Sequence, residues 1–454
     1  MNKKRVEQGI DRRSFLRSSA EVAAGLAFSP TVLSQAAGTK KEDDINVALL
    51  GAGEQGQVLM TACLKIPGVR FKAVCDIWQA YNQTRVSRLL QRYGHENNTY
   101  VDYQEMLDKE KDLDAVIIAT PDFWHTEHTI ACLKAELHVY CEKEMSNTLE
   151  GARKMVEAAR QTGKLLQIGH QRRSNPRYIH CYEKLIKDAK LLGRITTING
   201  QWNRGKAACA DIGFPKNAAI EQATLDKYGF KSMQQFRNWR WYKGLGGGPI
   251  VDLGSHQIDI YSWFLDAKPT SVMASGGIDY WQGRDWYDHV MAIFEYQTKD
   301  GTVRAFYQTI TTNSGQGYFE TFMGDEGTLL ISEAAGRGTA YREAHVPPES
   351  WERWVKLGFL KDTTVKKEEE KPADTSAVLD VRESPKPPSY DLPVTMDKPY
   401  HQPHLENFFD AIRGKAQLTC PAEVGYETAV TVLKVNEAVE AGRKLEFKPD
   451  EFKV

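Results

Sequence analysis

A glycine-rich turn between an apolar run and a helical pattern constrains this fold most. Residues 45–50 predict a buried parallel strand, and residues 56–64 predict a helix. Between them, Gly51, Gly53 and Gly56 satisfy the spacing Gly-x-Gly-x-x-Gly. In that context the first glycine makes a tight turn, the second lets backbone approach a pyrophosphate, and the third lets the helix pack on the strand. The turn therefore predicts a dinucleotide site, with the phosphates at the amino end of the helix.

A carboxylate after the second predicted strand narrows the choice of cofactor. Residues 70–75 predict that strand, and Asp76 follows it. An acidic side chain at this position can accept hydrogen bonds from the adenosine ribose, which favours NAD over NADP. Within the glycine turn, Glu54 and Gln55 are also predicted to contact the cofactor.

Strand and helix patterns alternate up to about residue 169. Further strands are predicted at residues 114–120, 137–141 and 165–168, with helices at 127–135 and 149–162. This alternation predicts an α/β fold with a doubly wound parallel sheet, a Rossmann domain over residues 41–169.

Residues 170–454 have a different pattern and predict a second, α+β domain. Strands with intervening glycine turns between residues 271 and 331 predict an open-faced, mostly antiparallel sheet. Residues 360–400 are rich in charge and proline and predict a surface excursion, and residues 401–454 predict closing helices. This domain is expected to carry the substrate and oligomer contacts.

The amino terminus predicts an export signal over residues 1–40. Arg12 and Arg13 precede Phe15-Leu16 and an apolar segment at residues 20–33, too short for the roughly 20 residues of a membrane-spanning helix. Paired arginines in this context indicate a twin-arginine signal, so a periplasmic protein folded in the cytoplasm and without stable membrane insertion is expected. A chance Arg-Arg pair before another signal, or an uncleaved anchor, is the alternative.

The charge balance and the cysteine spacing argue against a nucleic-acid-binding, zinc-binding or disulfide-rich protein. The chain has 59 Lys and Arg against 60 Asp and Glu, which predicts no bulk attraction to nucleic acid. Its 7 cysteines show no Cys-x-x-Cys spacing, so neither a zinc site nor a disulfide framework is predicted.

Loops that follow the later strands are predicted to face one crevice, because the carboxyl ends of parallel strands share an edge. The cofactor contacts expected there are Thr120, Pro121, His125, Glu142 and Lys143, whereas the neighbouring His128 is expected to cap or pack. Lys143, directly after Glu142, can hydrogen-bond a substrate hydroxyl and stabilise the alkoxide that forms.

A second glycine-rich segment, residues 246–248, precedes a helix predicted to begin near residue 250. Asp252 and His256 are four residues apart and share a helix face. His256 can take the hydroxyl proton while hydride leaves the carbon, and Asp252 can orient the hydroxyl or the imidazole. The alternative is a helix cap and a packing histidine. A metal on these side chains and Asp259 would need further ligands, so no metal is predicted.

Some residues are weaker candidates. His401 and His404 are predicted to begin a helix rather than to hold a metal. The second half also contains tryptophans whose rings could stack on a sugar; these are Trp202, Trp239, Trp241, Trp281 and Trp286.

The ordered set of segments 51–56, 119–125, 138–143 and 247–256 resembles the Gfo/Idh/MocA oxidoreductases. The resemblance implies an N-terminal Rossmann domain, a C-terminal open-faced sheet domain and hydride exchange between a nicotinamide and a sugar or polyol. It places Lys143, Asp252 and His256 at the catalytic positions and implies a homodimer or homotetramer. Glu144 departs from the family, which usually has proline there.

Three functions are compatible with these patterns. The leading one is an exported NAD(P)-dependent oxidoreductase acting on CH–OH groups, whose cofactor stays bound because free nicotinamide is scarce outside the cytoplasm. The second is an NAD-dependent glycoside hydrolase that works by transient oxidation, elimination and re-reduction. The third is a non-catalytic sugar-binding protein with the same fold.

Overall fold

The computed structural model describes residues 43–334, 336–363 and 387–454. The predicted export signal and much of the predicted 360–400 excursion lie outside these ranges. The described chain contains two sheets, one of six strands and one of ten. No helix in the described ranges is both long enough and apolar enough to cross a bilayer.

The six-stranded sheet is parallel throughout, with the order β3-β2-β1-β4-β5-β6. Its strands are β1 (Ile45–Leu50), β2 (Val69–Cys75), β3 (Asn98–Tyr100), β4 (Ala115–Ile118), β5 (His138–Cys141) and β6 (Leu166–Ile168). All six residues of β1 are buried, as expected for a strand covered on both faces. Because β1 lies between β2 and β4, the strand order reverses beside it, and ligands bind at that edge in such sheets. The predicted Rossmann fold is confirmed.

Five helices accompany this sheet. They are α1 (Glu54–Cys63), α2 (Thr84–Arg92), α3 (Tyr103–Lys109), α4 (Asp122–Lys134) and α5 (Leu149–Thr162). The α5 helix has the predicted bounds, since Thr148 caps its start and Gly163 ends it with a left-handed backbone. The α4 helix begins five residues earlier than predicted, after Pro121. The sequence analysis did not predict β3, whose three residues are mostly exposed.

The second sheet has the order β14-β15-β13-β12-β11-β7-β10-β9-β8-β16. Its strands are β7 (Ile195–Asn203), β8 (Pro269–Gly277), β9 (His289–Thr298), β10 (Gly301–Ile310), β11 (Tyr318–Gly324), β12 (Gly327–Ile331), β13 (Gly338–Arg342), β14 (Lys361–Asp362), β15 (Ser389–Asp391) and β16 (Leu445–Glu446). Its pairings are antiparallel except that of β7 with β10. This agrees with the predicted, mostly antiparallel sheet.

The rest of the described chain contains eight further α-helices of different lengths. They are α6 (Pro176–His180), α7 (Lys206–Cys209), α8 (Gln222–Lys227), α9 (Met233–Arg237), α10 (Gly248–Leu265), α11 (Pro348–Lys356), α12 (Gln402–Ile412) and α13 (Ala422–Ala441). Short segments of 3₁₀ or π helix lie at Gln79–Gln83, Gln171–Ser174, Cys181–Asp188, Lys216–Ala218, Trp239–Trp241 and Pro449–Phe452. The α10 and α13 helices pack together and cover one face of the sheet.

The α12 helix returns to the Rossmann domain, although the sequence analysis placed it with the second one. Leu405, Phe408 and Phe409 are buried in the same apolar cluster as the β1 strand, and α12 packs against α1. Burial of three large apolar side chains fixes this helix on the Rossmann sheet. Its first residues, including His401, thereby reach the ligand edge of that sheet.

Candidate active site

A cavity of about 710 Å³ lies between the ligand edge of the Rossmann sheet and the second domain. Its lining includes most of the side chains singled out from the sequence: Gly51, Gly53, Glu54, Gln55, Asp76, Thr120, Pro121, Glu142, Lys143, Asp252 and His256. Gly56 and His125 do not line it. The fold therefore gathers residues more than 200 positions apart into one chamber of a size typical for small-molecule sites.

The three glycines of the turn serve different purposes. Gly51 has φ 93°, and a Cβ there would lie 2.6 Å from the carbonyl carbon of Ala119. A Cβ on Gly56 would lie 2.0 Å from the carbonyl oxygen of Gly51. At Gly53 the nearest atom to such a Cβ is 3.9 Å away, on Asn82. Gly51 and Gly56 thus close the turn, and Gly53 leaves open space where a pyrophosphate can approach.

Asp76 holds the glycine turn as well as facing the cavity. One carboxylate oxygen accepts the Ala52 N–H at 2.7 Å, and the other accepts the Trp78 N–H at 2.7 Å. The Asn82 amide lies 3.4 Å from the first of these oxygens. Burial raises the pKa of Asp76, and these hydrogen bonds oppose that rise. The oxygen that accepts from Trp78 retains lone-pair capacity for a ribose hydroxyl.

Glu142 links the glycine turn to the later loops. Its Oε1 accepts from Gln55 Nε2 at 3.0 Å, and its Oε2 accepts from the Lys143 backbone N–H at 3.1 Å. Gln55 Nε2 also lies 3.0 Å from Nε2 of His401. His401 is a cavity residue that the sequence analysis assigned only to a helix start, because no local pattern relates it to Gln55.

Lys143 and Asp252 meet across the cavity. The ammonium of Lys143 lies 3.1 Å from Oδ1 of Asp252 and 2.5 Å from its main-chain oxygen. Arg240 Nε lies 3.1 Å from the same carboxylate oxygen. Burial alone would raise the pKa of Asp252, but Lys143 and Arg240 lower it below its ordinary value. The carboxylate therefore stays charged and fixes the lysine ammonium at the cavity wall.

His256 presents a neutral imidazole to the cavity. Its side chain is 7% exposed, and its ring lies 5.4 Å from that of Trp202. Burial, followed by the charge of Lys143, lowers the pKa of His256 well below its usual value. Asp252 makes its side-chain contacts with Lys143 and Arg240, so it positions the lysine rather than the imidazole. Gly247 precedes the helix as its cap, which excludes Asp252 from that role.

The prediction for His125 requires correction. Its ring nitrogens lie 2.7 Å from the backbone oxygens of Glu144 and Thr120, and its side chain is 1% exposed. Its contacts therefore tie the Thr120 loop to the Glu144 loop instead of facing a cofactor. His128 lines the cavity instead, with Nδ1 3.1 Å from the Thr120 hydroxyl. The sequence spacing placed both histidines on one helix but not the face that packing selects.

An aromatic wall closes the side of the cavity nearest the second sheet. Trp202 and Tyr318 stack with ring centroids 4.6 Å apart, and Arg172 lies behind both rings. Arg172 is fully buried between the carboxylates of Glu320 and Glu333. Of the predicted tryptophans, Trp202, Trp239 and Trp241 line the cavity, whereas Trp281 and Trp286 do not.

Asp259, a candidate metal ligand together with Asp252 and His256, is held by other side chains. Asp259 accepts from Arg173 Nε at 2.9 Å and from the Thr428 hydroxyl at 2.9 Å. In the described part of the chain, the group with ligand atoms close enough for a metal is Asp279, Asp288 and His289, outside the cavity.

Two profiles of one family match the chain. The oxidoreductase family with an NAD-binding Rossmann fold matches residues 45–170, and the GFO/IDH/MocA C-terminal domain matches residues 184–330. The chain belongs to the Gfo/Idh/MocA oxidoreductases. Its two domains are thus those that the resemblance implied, and the family is one of enzymes.

Individual proteins that this chain resembles include dehydrogenases and a glycosyl hydrolase. Inositol 2-dehydrogenase of Rubrobacter xylanophilus is 24% identical over 64% of this chain and 72% of its own length. Glycosyl hydrolase family 109 protein 2 of Shewanella sp. (strain ANA-3) is 30% identical over 34% of this chain and 38% of its own length. The solved levoglucosan dehydrogenase in complex with NADH and L-sorbose is 17% identical, covers 90% of this chain and 100% of its own, and has a TM-score of 0.65. That last similarity supports the fold.

Proposed function

We propose that this protein transfers a hydride between a bound NAD and a hydroxyl-bearing carbon of a sugar, glycoside or polyol. The observation that carries the proposal is that Lys143 and His256 both line the cavity that the glycine turn borders. A cationic donor and a neutral base beside a nicotinamide site are the two groups that alcohol oxidation needs.

The chemistry follows from these positions. Neutral His256 takes the hydroxyl proton through the ring nitrogen that faces the cavity. The ammonium of Lys143 donates a hydrogen bond to the developing alkoxide, and Asp252 holds that ammonium in place. NAD, when bound, supplies the acceptor for the hydride and its two electrons. Re-reduction of a carbonyl reverses each transfer.

The cavity wall supports a carbohydrate substrate. The stacked rings of Trp202 and Tyr318 offer a flat apolar surface of the kind that packs against a sugar face. Names of relatives point the same way, since inositol 2-dehydrogenase and levoglucosan dehydrogenase act on polyhydroxylated rings.

We propose NAD rather than NADP, and a cofactor that stays bound during turnover. The carboxylate of Asp76 would repel a ribose 2′-phosphate, and it lies at the strand end where that ribose is expected. The retained cofactor follows from the proposed export by the twin-arginine signal of residues 1–40, since an exported enzyme has little free nicotinamide to draw upon.

We further propose a homodimer or homotetramer through the second sheet. Its uncovered face exposes Met273, Met291 and Ile293 on neighbouring strands β8 and β9. Adjacent exposed apolar side chains on a sheet face indicate an interface. Sedimentation of Ile293→Lys beside the unchanged protein tests this; a change to monomer is expected, and a monomeric unchanged protein would contradict it.

A second candidate is an NAD-dependent glycoside hydrolase. The similarity to the glycosyl hydrolase of Shewanella favours it, although that match covers 38% of the relative. It would use the same Lys143 and His256 to oxidise the sugar transiently and then to reduce it again. No additional base for the elimination step is assigned.

One experiment separates the candidates. The purified protein is denatured to release and identify any nucleotide, and the intact protein is then given inositol, levoglucosan, glucose and aryl glucosides. Reduced nicotinamide without aglycone release supports the oxidoreductase, and aglycone release without net reduction supports the hydrolase. No nucleotide and no turnover would contradict both and leave the non-catalytic sugar-binding protein.

A further inference from the structure

His170 lies beside His256, the base of the proposed reaction. It follows β6 and is 1% exposed, and its ring is 6.5 Å from that of His256, at an interplanar angle of 83°. His170 does not line the cavity. It is therefore a buried imidazole next to His256 and outside the cavity.

Three nitrogens of this pair are buried without a partner. They are both ring nitrogens of His170 and Nδ1 of His256. Buried polar atoms in folded proteins are almost always hydrogen-bonded, to protein or to water. Two hydrogen bonds of about 2.8 Å in series span up to about 5.6 Å, so one water molecule can bridge rings at this separation.

The neighbours with charge effects on His256 are lysine, arginine and histidine side chains, whereas those on His170 include one carboxylate. His256 faces Lys143, Arg172, His170 and His401, all of which disfavour its protonated form. A proton held on His256 would therefore be poorly stabilised.

His170 faces one carboxylate, that of Asp259, together with Arg173, Lys143 and Arg172. Burial, the largest effect, lowers the pKa of His170 to about 4, and Asp259 is the neighbouring group that opposes this shift. A proton delivered from His256 to His170 would thus be attracted by the Asp259 carboxylate.

We propose that His170 is a proton-relay residue that, through one buried water, receives the proton that His256 takes from the substrate. As Nε2 of His256 gains the hydroxyl proton, Nδ1 releases its proton to the water, and the water passes one to His170. The hydride and its two electrons leave the carbon for NAD. In a reaction that returns the hydride, the proton travels back along the same path.

The proposal rests on the proposed function and makes His170 a positioning residue, because it acts through His256. The site would hold both the hydride and the proton between two half-reactions, which suits a cofactor that does not leave.

The test is a proton inventory of single-turnover reduction of the bound NAD by inositol, levoglucosan or glucose, using the full chain. Rates are measured in mixtures of H₂O and D₂O. Two or more protons moving together predict a curved dependence on the deuterium fraction for the unchanged protein. His170→Gln should lower the rate about 10- to 100-fold with KM within about twofold, and should make the dependence linear.

His404→Gln is the matched control, because His404 is also a buried histidine but has both ring nitrogens bonded, to Ser174 and to the Ile168 carbonyl. His404→Gln should leave the dependence of the rate on the deuterium fraction curved. A linear inventory in the unchanged protein overturns the relay even if His170→Gln does not fold. A curved inventory that persists in His170→Gln overturns it too. No reduction by any of the sugars would instead contradict the proposed function, and the relay with it.

Discussion

The ammonium of Lys143 lies 3.1 Å from the carboxylate of Asp252, although 109 residues separate them in the chain. Lys143 belongs to a loop of the Rossmann domain, and Asp252 belongs to helix α10 of the second. The contact therefore joins the two domains at the point where the cofactor and the substrate are proposed to meet.

Replacing Lys143 with methionine should separate binding from chemistry. The methionine keeps the length of the apolar stem but removes the charge that stabilises the alkoxide, so the hydride-transfer rate should fall about 10²- to 10³-fold. Stopped-flow reduction of the bound cofactor measures the rate, and fluorescence titration measures NAD affinity, which should change little. Equal losses of affinity and rate would assign Lys143 to cofactor binding instead.

The pH dependence of hydride transfer should reflect the environment of His256. Only the neutral imidazole accepts a proton, and the pKa of His256 is lowered well below 6.5 by burial and by Lys143. A lower pKa keeps the ring neutral at lower pH. The single-turnover rate should therefore stay level as the pH falls through about 6.5 and decline only below it. An acid limb centred on the ordinary histidine pKa would show that His256 is not the base.

The glycine turn should tolerate a side chain at one position without unfolding. Gly53→Val places its side chain in the open space proposed for the pyrophosphate and should weaken NAD binding at least about tenfold, with the Tm of the cofactor-free protein nearly unchanged. Gly213→Val is the control, because no atom lies within 4 Å of a Cβ there. Unaltered NAD affinity in Gly53→Val would place the phosphates elsewhere.

Gly56→Ala should instead affect stability, because its Cβ would lie 2.0 Å from a backbone oxygen. Its Tm should fall markedly relative to the Gly213 variant, as expected for overpacking that costs about 1–3 kcal/mol. Thermal unfolding with and without NAD distinguishes the two effects.

Glu144 should make the protein less stable as the pH rises. Its side chain is 1% exposed, its Oε2 has no partner, and burial raises its pKa to about 8. A carboxyl with a raised folded-state pKa contributes stability that is complete below its unfolded pKa, about 4.5, and is lost as the pH approaches 8. Glu144→Gln should therefore narrow the gap in Tm between pH 5 and pH 8. The control variant Glu157→Gln, at an exposed position, should leave the Tm gap between pH 5 and pH 8 unchanged. An unchanged gap in Glu144→Gln would mean that the Glu144 carboxyl ionises in contact with water.

Local patterns predicted the parts of the site that lie close together in sequence. The glycine turn, Asp76, Lys143, Asp252 and His256 all belong to short motifs, and the structure brings them to one cavity. These motifs carry the information because backbone turns and helix spacing are decided within a few residues.

Contacts between distant segments could not be predicted in this way. His401 reaches Gln55 only because α12 packs on the Rossmann sheet, and Tyr318 meets Trp202 only through the pairing of β7 with β11. The position of His125 has the same origin, since the packing of α4 turns its ring toward the backbone oxygens of Glu144 and Thr120. A short stretch of sequence does not show which side of a helix will face the cavity. Packing between distant segments decides that.

The direct transfer of hydrogen from the sugar carbon to the bound nicotinamide tests the central claim most directly. The protein with its bound NAD is mixed with glucose, inositol or levoglucosan carrying deuterium on its ring carbons, and the released cofactor is analysed by mass spectrometry. We expect one deuterium on the nicotinamide with the unchanged protein and a large loss with Lys143→Met. A cofactor that carries no deuterium with any of these substrates would contradict the proposed function.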